Sequence, residues 1–98
     1  MKLNNNQAVF WCRDETDFMR MKQVMADPET WPKTYAEFAA DGEELIAKAW
    51  KQGVLITKVE ADPDAFVTWC KVEGRQPDRR ARIMYAVQQF DRLPKNTN

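Results

Sequence analysis

Residues 53–74 read GVLITKVEADPDAFVTWCKVEG, and this stretch decides the fold. Its first part, residues 54–59, is rich in β-branched side chains and predicts a strand of about seven residues. Asp62 is suited to cap a helix, and Pro63 to occupy the first helical position, where a missing N–H costs nothing. Gly74 is suited to the left-handed conformation that ends many helices. The stretch therefore predicts a strand followed directly by a helix.

Upstream of this stretch, the sequence predicts another strand and a first helix. Residues 8–12 are apolar and aromatic, which is typical of a short buried strand, although periodicity alone does not separate such a strand from a helical fragment. Asp14 offers an N-cap for a helix that should end near Ala26, before Pro28. Trp31 lies in the connector that follows, and we expect it to fold back onto the core.

The longest helix is predicted for residues 35–52. Thr34 and Glu37 form the T-x-x-E capping box that starts it. Gly42 falls on the apolar side of this helix, where glycine costs about 1 kcal/mol of helix propensity relative to alanine. Either another backbone approaches closely at Gly42, or the helix breaks at Asp41 and Gly42.

A final helix is predicted for residues 78–93, after a tight connection that contains Pro77. Residues 1–7 and 94–98 are polar and are predicted to be flexible. The element order β-α-α-β-α-α defines one α+β domain over residues 1–98, in which four helices pack a two-stranded sheet.

A sheet of two strands is marginal on its own and needs helices against it or further strands beside it. Four helices can cover the sheet, and we expect Ile56, Phe66, Trp69 and Trp50 in the core. An open strand edge is most simply closed by pairing with a second copy of the chain. The sequence therefore predicts a homodimer or another protein partner.

The charge balance excludes a whole-molecule attraction to nucleic acid or to an anionic membrane, because 15 basic residues are matched by 15 acidic ones. The longest apolar run, residues 8–12, is far too short to span a membrane, and the Asn-rich start lacks the apolar segment of a secretory signal. We therefore predict a cytoplasmic protein without membrane contact.

Cys12 and Cys70 have neither the C-x-x-C spacing nor the histidine partners of a zinc site. The first interpretation is two reduced thiols that pack as small apolar side chains. A disulfide between them is an alternative if the first strand abuts the helix, but a cytosolic setting disfavours it. A reactive thiol is a third interpretation, although nothing nearby in sequence supplies an activating base.

Acidic residues cluster in four places along the chain. The clusters consist of Asp14, Glu15 and Asp17, of Asp27 and Glu29, of Glu43 and Glu44, and of Asp62 and Asp64. Paired acids can serve acid–base catalysis or hold a hard cation, but capping or a connector already explains all but the third cluster. The chain also has no histidine, no glycine-rich phosphate loop and no G-x-S-x-G turn. We therefore predict no catalytic residue, no metal ligand and no cofactor.

Residues 71–82 form the one basic cluster, in which five cations are offset only by Glu73 and Asp78. The candidate contacts for a partner or for nucleic acid are Lys71, Arg75, Arg79, Arg80, Arg82 and Tyr85. A short glycine-containing turn between two helices resembles the outline of a helix-turn-helix, whose second helix contacts DNA.

The helical wheel of the last helix favours a structural role for its arginines. Its predicted packed side consists of Ile83, Ala86, Val87 and Phe90. Arg79, Arg80 and Arg82 would then lie within or beside that side. Their guanidinium groups would pair with carboxylates such as Glu60, Asp62 or Glu73.

The aromatic and methionine content exceeds what one small core hides easily. Four tryptophans are most simply core residues, whereas Met19, Met25, Met84 and Tyr85 fall at flanking or outward positions. Exposed aromatic and methionine side chains favour a protein partner first and a pocket for a small apolar ligand second.

Residues 31–86 carry a W-P-x-T-Y helix start, then V-x-x-D-P-x-x-F-x-x-W-C, then G-x-x-P-D-x-x-A-R. This spacing, over just over half of the chain, resembles a set of small uncharacterised bacterial proteins. The resemblance implies no activity, ligand or catalytic residue, and proteins of this kind are frequent in mobile gene cassettes such as those of integrons.

The sequence as a whole predicts a non-catalytic protein–protein interaction or accessory module that self-associates. Two alternatives stay open at this point. One is a helix-turn-helix-like protein that binds nucleic acid through residues 71–82. The other is a small protein that binds an apolar ligand.

Overall fold

The computed structural model describes residues 5–93, and within them the predicted order β-α-α-β-α-α is confirmed. The elements are β1 (Asn5–Trp11), α1 (Glu15–Val24), α2 (Tyr35–Lys51), β2 (Val54–Glu60), α3 (Pro63–Glu73) and α4 (Arg79–Arg92), with a short 3-10 helix (Pro28–Thr30) before α2. The fold is therefore α+β. The flexibility predicted for residues 1–4 and 94–98 lies outside the described residues.

The two strands pair in parallel, in a register that runs from Asn5 opposite Val54 to Trp11 opposite Glu60. The predicted strand at residues 8–12 is wrong in its start, because β1 begins at Asn5. Residues 5–7, predicted as part of a flexible lead-in, are exposed but lie beside the apolar start of β2. Their backbone pairing, which composition does not reveal, extends the strand.

Each α-helix begins after a short polar side chain, which the sequence predicts as a cap for the first three helices, whereas Asp78, predicted as the start of the last helix, proves to be its cap. The capping oxygens of Asp14, Thr34, Asp62 and Asp78 accept hydrogen bonds from the backbone N–H three residues ahead, at 2.8, 3.1, 3.0 and 3.0 Å. In the capping box, the Glu37 carboxylate accepts from the N–H of Lys33 at 3.3 Å rather than from that of Thr34. Gly74 ends α3 in the left-handed conformation, with φ of 69°.

The sheet lies between two layers of helices. Phe10 packs edge-on against Phe66 of α3 and Tyr85 of α4, with ring centroids 5.0 and 6.1 Å away. The next residue, Trp11, packs against Phe38 of α2 at 5.0 Å. Because successive side chains of a strand point to opposite faces, α2 covers one face of the sheet and α3 with α4 covers the other.

Gly42 lies directly under the indole of Trp11. A Cβ added at this position would come within 2.3 Å of the Trp11 ring. The prediction of a close backbone at Gly42 is wrong, because the close neighbour is the side chain of Trp11. Helix α2 continues unbroken through Asp41 and Gly42.

The core predictions meet different outcomes. Phe66 is fully buried, and Trp69 packs against the core cluster from a half-buried position. Ile56 is only half-buried, and Trp50 is 53% exposed, so their assignment to the core is wrong. Trp50 lies on the flank of α2 that also carries Glu43, whose carboxylate reaches Lys58 of β2 at 3.0 Å. A two-stranded sheet is too narrow to cover that flank.

The packed side of α4 also differs from the predicted one. Its buried residues are Ala81, Arg82, Tyr85 and Ala86. Ile83 and Val87, predicted to be packed, are 52% and 47% exposed. The helical wheel placed Arg82 at the margin of the core. Because Arg82 pairs with Asp27, it can be buried, and the side of α4 that carries Arg82 faces the core. Tyr85 and Met25, expected at flanking or outward positions, are buried as well.

Across residues 5–93, no helix has both the length and the hydropathy that crossing a lipid bilayer requires.

Candidate functional site

The outer edge of β1 is unpaired among the described residues, because the sheet consists of β1 and β2 alone. The carbonyl of Trp11 accepts from the N–H of Ala61 at 3.0 Å, on the side of β2. Backbone groups alternate in direction along a strand, so the N–H and C=O of Ala8 and Phe10 point to the opposite edge. This edge therefore presents backbone groups that can pair with another strand.

A groove of about 290 Å³ runs along this edge. It is lined by Val9 and Phe10 of β1, by Trp31 and Phe38, and by Arg79 and Ile83 of α4. The walls are apolar apart from arginine at one end. We call this feature the β1-edge groove.

Apolar side chains line the groove from both sides of the sheet. Ile83 of α4 is 52% exposed, and Phe38 of α2 is half-buried. A strand added at this edge would contact these side chains.

A second, larger groove of about 560 Å³ lies at β2, between that strand and the end of α4. Its lining combines the charged residues Lys58, Glu60 and Arg92 with Gln89 and the apolar residues Val59, Tyr85 and Leu93. The Lys58 amine pairs with Glu43 at 3.0 Å and lies 4.4 Å from the centre of the Trp11 ring.

Asp27 fixes the arginine end of the β1-edge groove. Its carboxylate accepts two hydrogen bonds from the guanidinium of Arg82, at 2.7 and 3.2 Å, and one from the N–H of Arg79 at 3.1 Å. The hydrogen bonds from Arg82 hold the pKa of Asp27 below its usual value. Arg82 is 5% exposed and lies 5.3 Å from the centre of the Trp31 ring. The structural pairing expected for Arg82 is confirmed, but its expected partners, Glu60, Asp62 and Glu73, are wrong.

Two of the six candidate contact residues are thus interior. Besides Arg82, Tyr85 is only 8% exposed, packs against the rings of Phe66 and Trp69, and has its pKa raised by burial. The other four lie at the surface. Lys71, Arg79 and Arg80 are exposed, and Arg75 is half-buried. Within residues 5–93 none of these four side chains forms an ion pair, so the pairing predicted for Arg79 and Arg80 is wrong.

A second arginine cluster escaped the sequence analysis. Asp17 is 3% exposed and forms ion pairs with Arg13 at 3.0 Å and with Arg20 at 3.2 Å. Arg20 also reaches Asp64 at 2.9 Å and thereby ties α1 to the start of α3. The helical spacings of Arg13 and Arg20 relative to Asp17 could have revealed half of this network. The acids at helix starts thus act as caps and ion-pair partners.

The two cysteines are free and buried, which confirms the first interpretation. Burial, reinforced by the charge of Asp17, raises the pKa of the Cys12 thiol to about 12, and burial also raises the pKa of Cys70. Both thiols are therefore protonated at neutral pH, and a nucleophilic role is not supported. No group of three or more His, Cys, Asp or Glu residues within the described range is placed to hold a metal ion.

Comparison of the chain with protein-family models, with curated proteins and with solved structures finds no match. The function is therefore argued from the geometry.

Proposed function

We propose that this protein is a non-catalytic interaction module that self-associates by pairing the outer edge of β1 with the same edge of a second copy. The observation that carries this proposal is the open, uncharged edge of β1. The strand reads NNQAVFW and contains no charged residue. Charged side chains are the usual protection of an exposed edge, and β1 lacks them.

Pairing of two identical edges about a two-fold axis makes the central strands antiparallel. The sheet would then contain four strands, with the two β1 strands at its centre and a β2 strand at each outer edge. Four strands fall in the common size range of sheets, whereas two strands are marginal. Ile83 of each copy, which lines the groove, would contact the partner's β1, and its exposed apolar surface would leave water.

The β1-edge groove is less suited to a small apolar ligand. Its volume, about 290 Å³, lies just below the usual range of ligand pockets, about 300 to 1,000 Å³. One side of the groove is also a strand edge with unpaired backbone groups, which an apolar molecule cannot satisfy.

Size-exclusion chromatography with light scattering tests the proposal. Wild-type protein should elute with twice the 11.5 kDa mass of one chain. Ala8→Pro should yield a folded monomer, because the N–H that proline removes points to the open edge and makes no bond to β2. Ile83→Glu should do the same by placing a charge in the interface.

Met19→Glu is the matched control, since Met19 of α1 is 50% exposed and is not among the residues that line the β1-edge groove. This variant should remain a dimer. A wild-type monomer at every concentration, or a dimer that survives both Ala8→Pro and Ile83→Glu, would refute edge pairing.

A further inference from the structure

Four cations surround the turn from α3 to α4, and one of them, Arg79, also lines the β1-edge groove. Lys71 lies in the last turn of α3, Arg75 in the connection, and Arg79 and Arg80 in the first turn of α4. We call these four residues the basic surface. No carboxylate of residues 5–93 forms an ion pair with any of them.

Internal structure does not account for the arginines of this surface. Cations in the first turn of a helix oppose the helix dipole, and α4 has no acidic residue in that turn. Arg82 is compensated by Asp27, which pairs with it directly. Arg79 and Arg80 have no such partner, although Asp27 does accept the backbone N–H of Arg79. Their exposed guanidinium groups are available to an external anion.

The arrangement of the charges selects the kind of anion. The cations are spread over the end of one helix, a turn and the start of the next, which fits an extended chain of negative charges better than a single compact ion. We propose that the basic surface binds the phosphate backbone of nucleic acid. Val87, an exposed residue of α4 outside the lining of the β1-edge groove, is apolar. The surface therefore positions the nucleic acid through phosphates and does not read bases.

This inference goes beyond self-association and does not depend on it, because all four cations belong to one chain. A two-fold dimer would present two copies of the surface. The monomeric Ala8→Pro variant should consequently still bind, with lower affinity than the dimer but with the same requirement for Arg79 and Arg80.

Fluorescence anisotropy with a labelled duplex DNA and a labelled single-stranded RNA tests the proposal. Wild-type protein should bind at about 50 mM salt and lose affinity steeply as salt rises, with a log–log slope near −0.9 for each phosphate contacted. Arg79→Glu/Arg80→Glu should weaken binding at low salt by at least about tenfold and make the slope shallower by about two. Glutamate in the first helical turn suits the dipole, so the variant should remain folded.

Lys33→Glu/Lys51→Glu is the matched control, because both lysines are exposed and the change in net charge is the same. It should retain binding within about twofold of wild type. Absence of binding by wild-type protein at low salt would overturn the inference. So would equal loss in the two double variants, which would indicate net charge only, or retention on heparin without binding to either nucleic acid.

Discussion

The two outer edges of the sheet differ in how they are protected. β2 carries Lys58 and Glu60, and the Lys58 amine is held in place by Glu43 and by the Trp11 ring. β1 carries no charged residue, and Trp31, Phe38 and Ile83 line the groove at its edge. Charged side chains on an edge oppose the addition of another strand. The chain therefore protects one edge of its sheet with charged side chains and leaves the other without them, and the proposed pairing of that second edge would give a closed dimer rather than a filament.

The largest expected effect on stability comes from truncating a buried ring of β1, compared with truncating an exposed side chain of β2. Phe10→Ala in β1 should lower the free energy of unfolding by about 3 to 5 kcal/mol, because its ring contacts Phe66, Tyr85 and Trp31. Leu55→Ala in β2 is the control and should cost less than about 1.5 kcal/mol, since Leu55 is 37% exposed. Urea denaturation measures both, and equal costs would show that the Phe10 ring does not anchor the core.

The next effect concerns the end of the β1-edge groove. Asp27→Ala leaves the buried guanidinium of Arg82 without its carboxylate, and we expect a loss of about 3 kcal/mol. Glu44→Ala removes an exposed pair with Lys48 and should change stability by less than about 0.5 kcal/mol. A cost for Asp27→Ala as small as that of Glu44→Ala would show that the ion pair between Asp27 and Arg82 does not hold α4 in place.

The ion pair between Asp27 and Arg82 also predicts that the free energy of unfolding falls at acid pH. The pKa of Asp27 in the folded protein lies below its ordinary value of 3.8, so the folded state binds the proton less tightly than the unfolded state. The contribution of ionised Asp27 to the free energy of unfolding is therefore fully present above pH 3.8 and is lost as pH falls through the depressed pKa. In thermal melts, the difference between wild type and Asp27→Asn should shrink at acid pH. A difference that stays constant would assign the effect to packing.

The smallest expected effect on stability comes from removing a charge from the β2 edge, and it tests whether that charge prevents the addition of another strand. Lys58→Thr removes an exposed ion pair and a cation–π contact and should cost about 1 kcal/mol. It should nevertheless change assembly, because the β2 edge loses one of its charges, and species larger than a dimer should appear in light scattering. Lys48→Thr, on the exposed side of α2, should leave the assembly unchanged.

Local chemistry allowed much of the fold to be predicted from the sequence. The four caps, the strand after Gly53 and the left-handed Gly74 all depend on residues within a few positions of one another. The errors involve distant partners. Arg82 is buried because of Asp27, which lies 55 residues away, and no pattern near residue 82 reveals this.

The candidate site could be predicted only in part for the same reason. The basic surface was visible in the sequence because its charges are contiguous, but which of its arginines are buried was not. The β1-edge groove combines β1, the connector at Trp31, α2 and α4, so no single segment of the sequence predicts it. Trp50 was misplaced because hydrophobicity indicates burial without indicating that the sheet ends before it.

The register of the sheet has a consequence for how the chain acquires its structure. Asn5 pairs with Val54, so nearly half of the chain separates the two strands. Helices α1 and α2 form from local contacts and can precede the pairing, whereas a parallel pair so distant in sequence forms slowly. During synthesis, β1 has no strand partner until β2 has left the ribosome. The strand with the open edge in the folded protein is thus also the segment that stays longest in need of a first partner while the chain is being made.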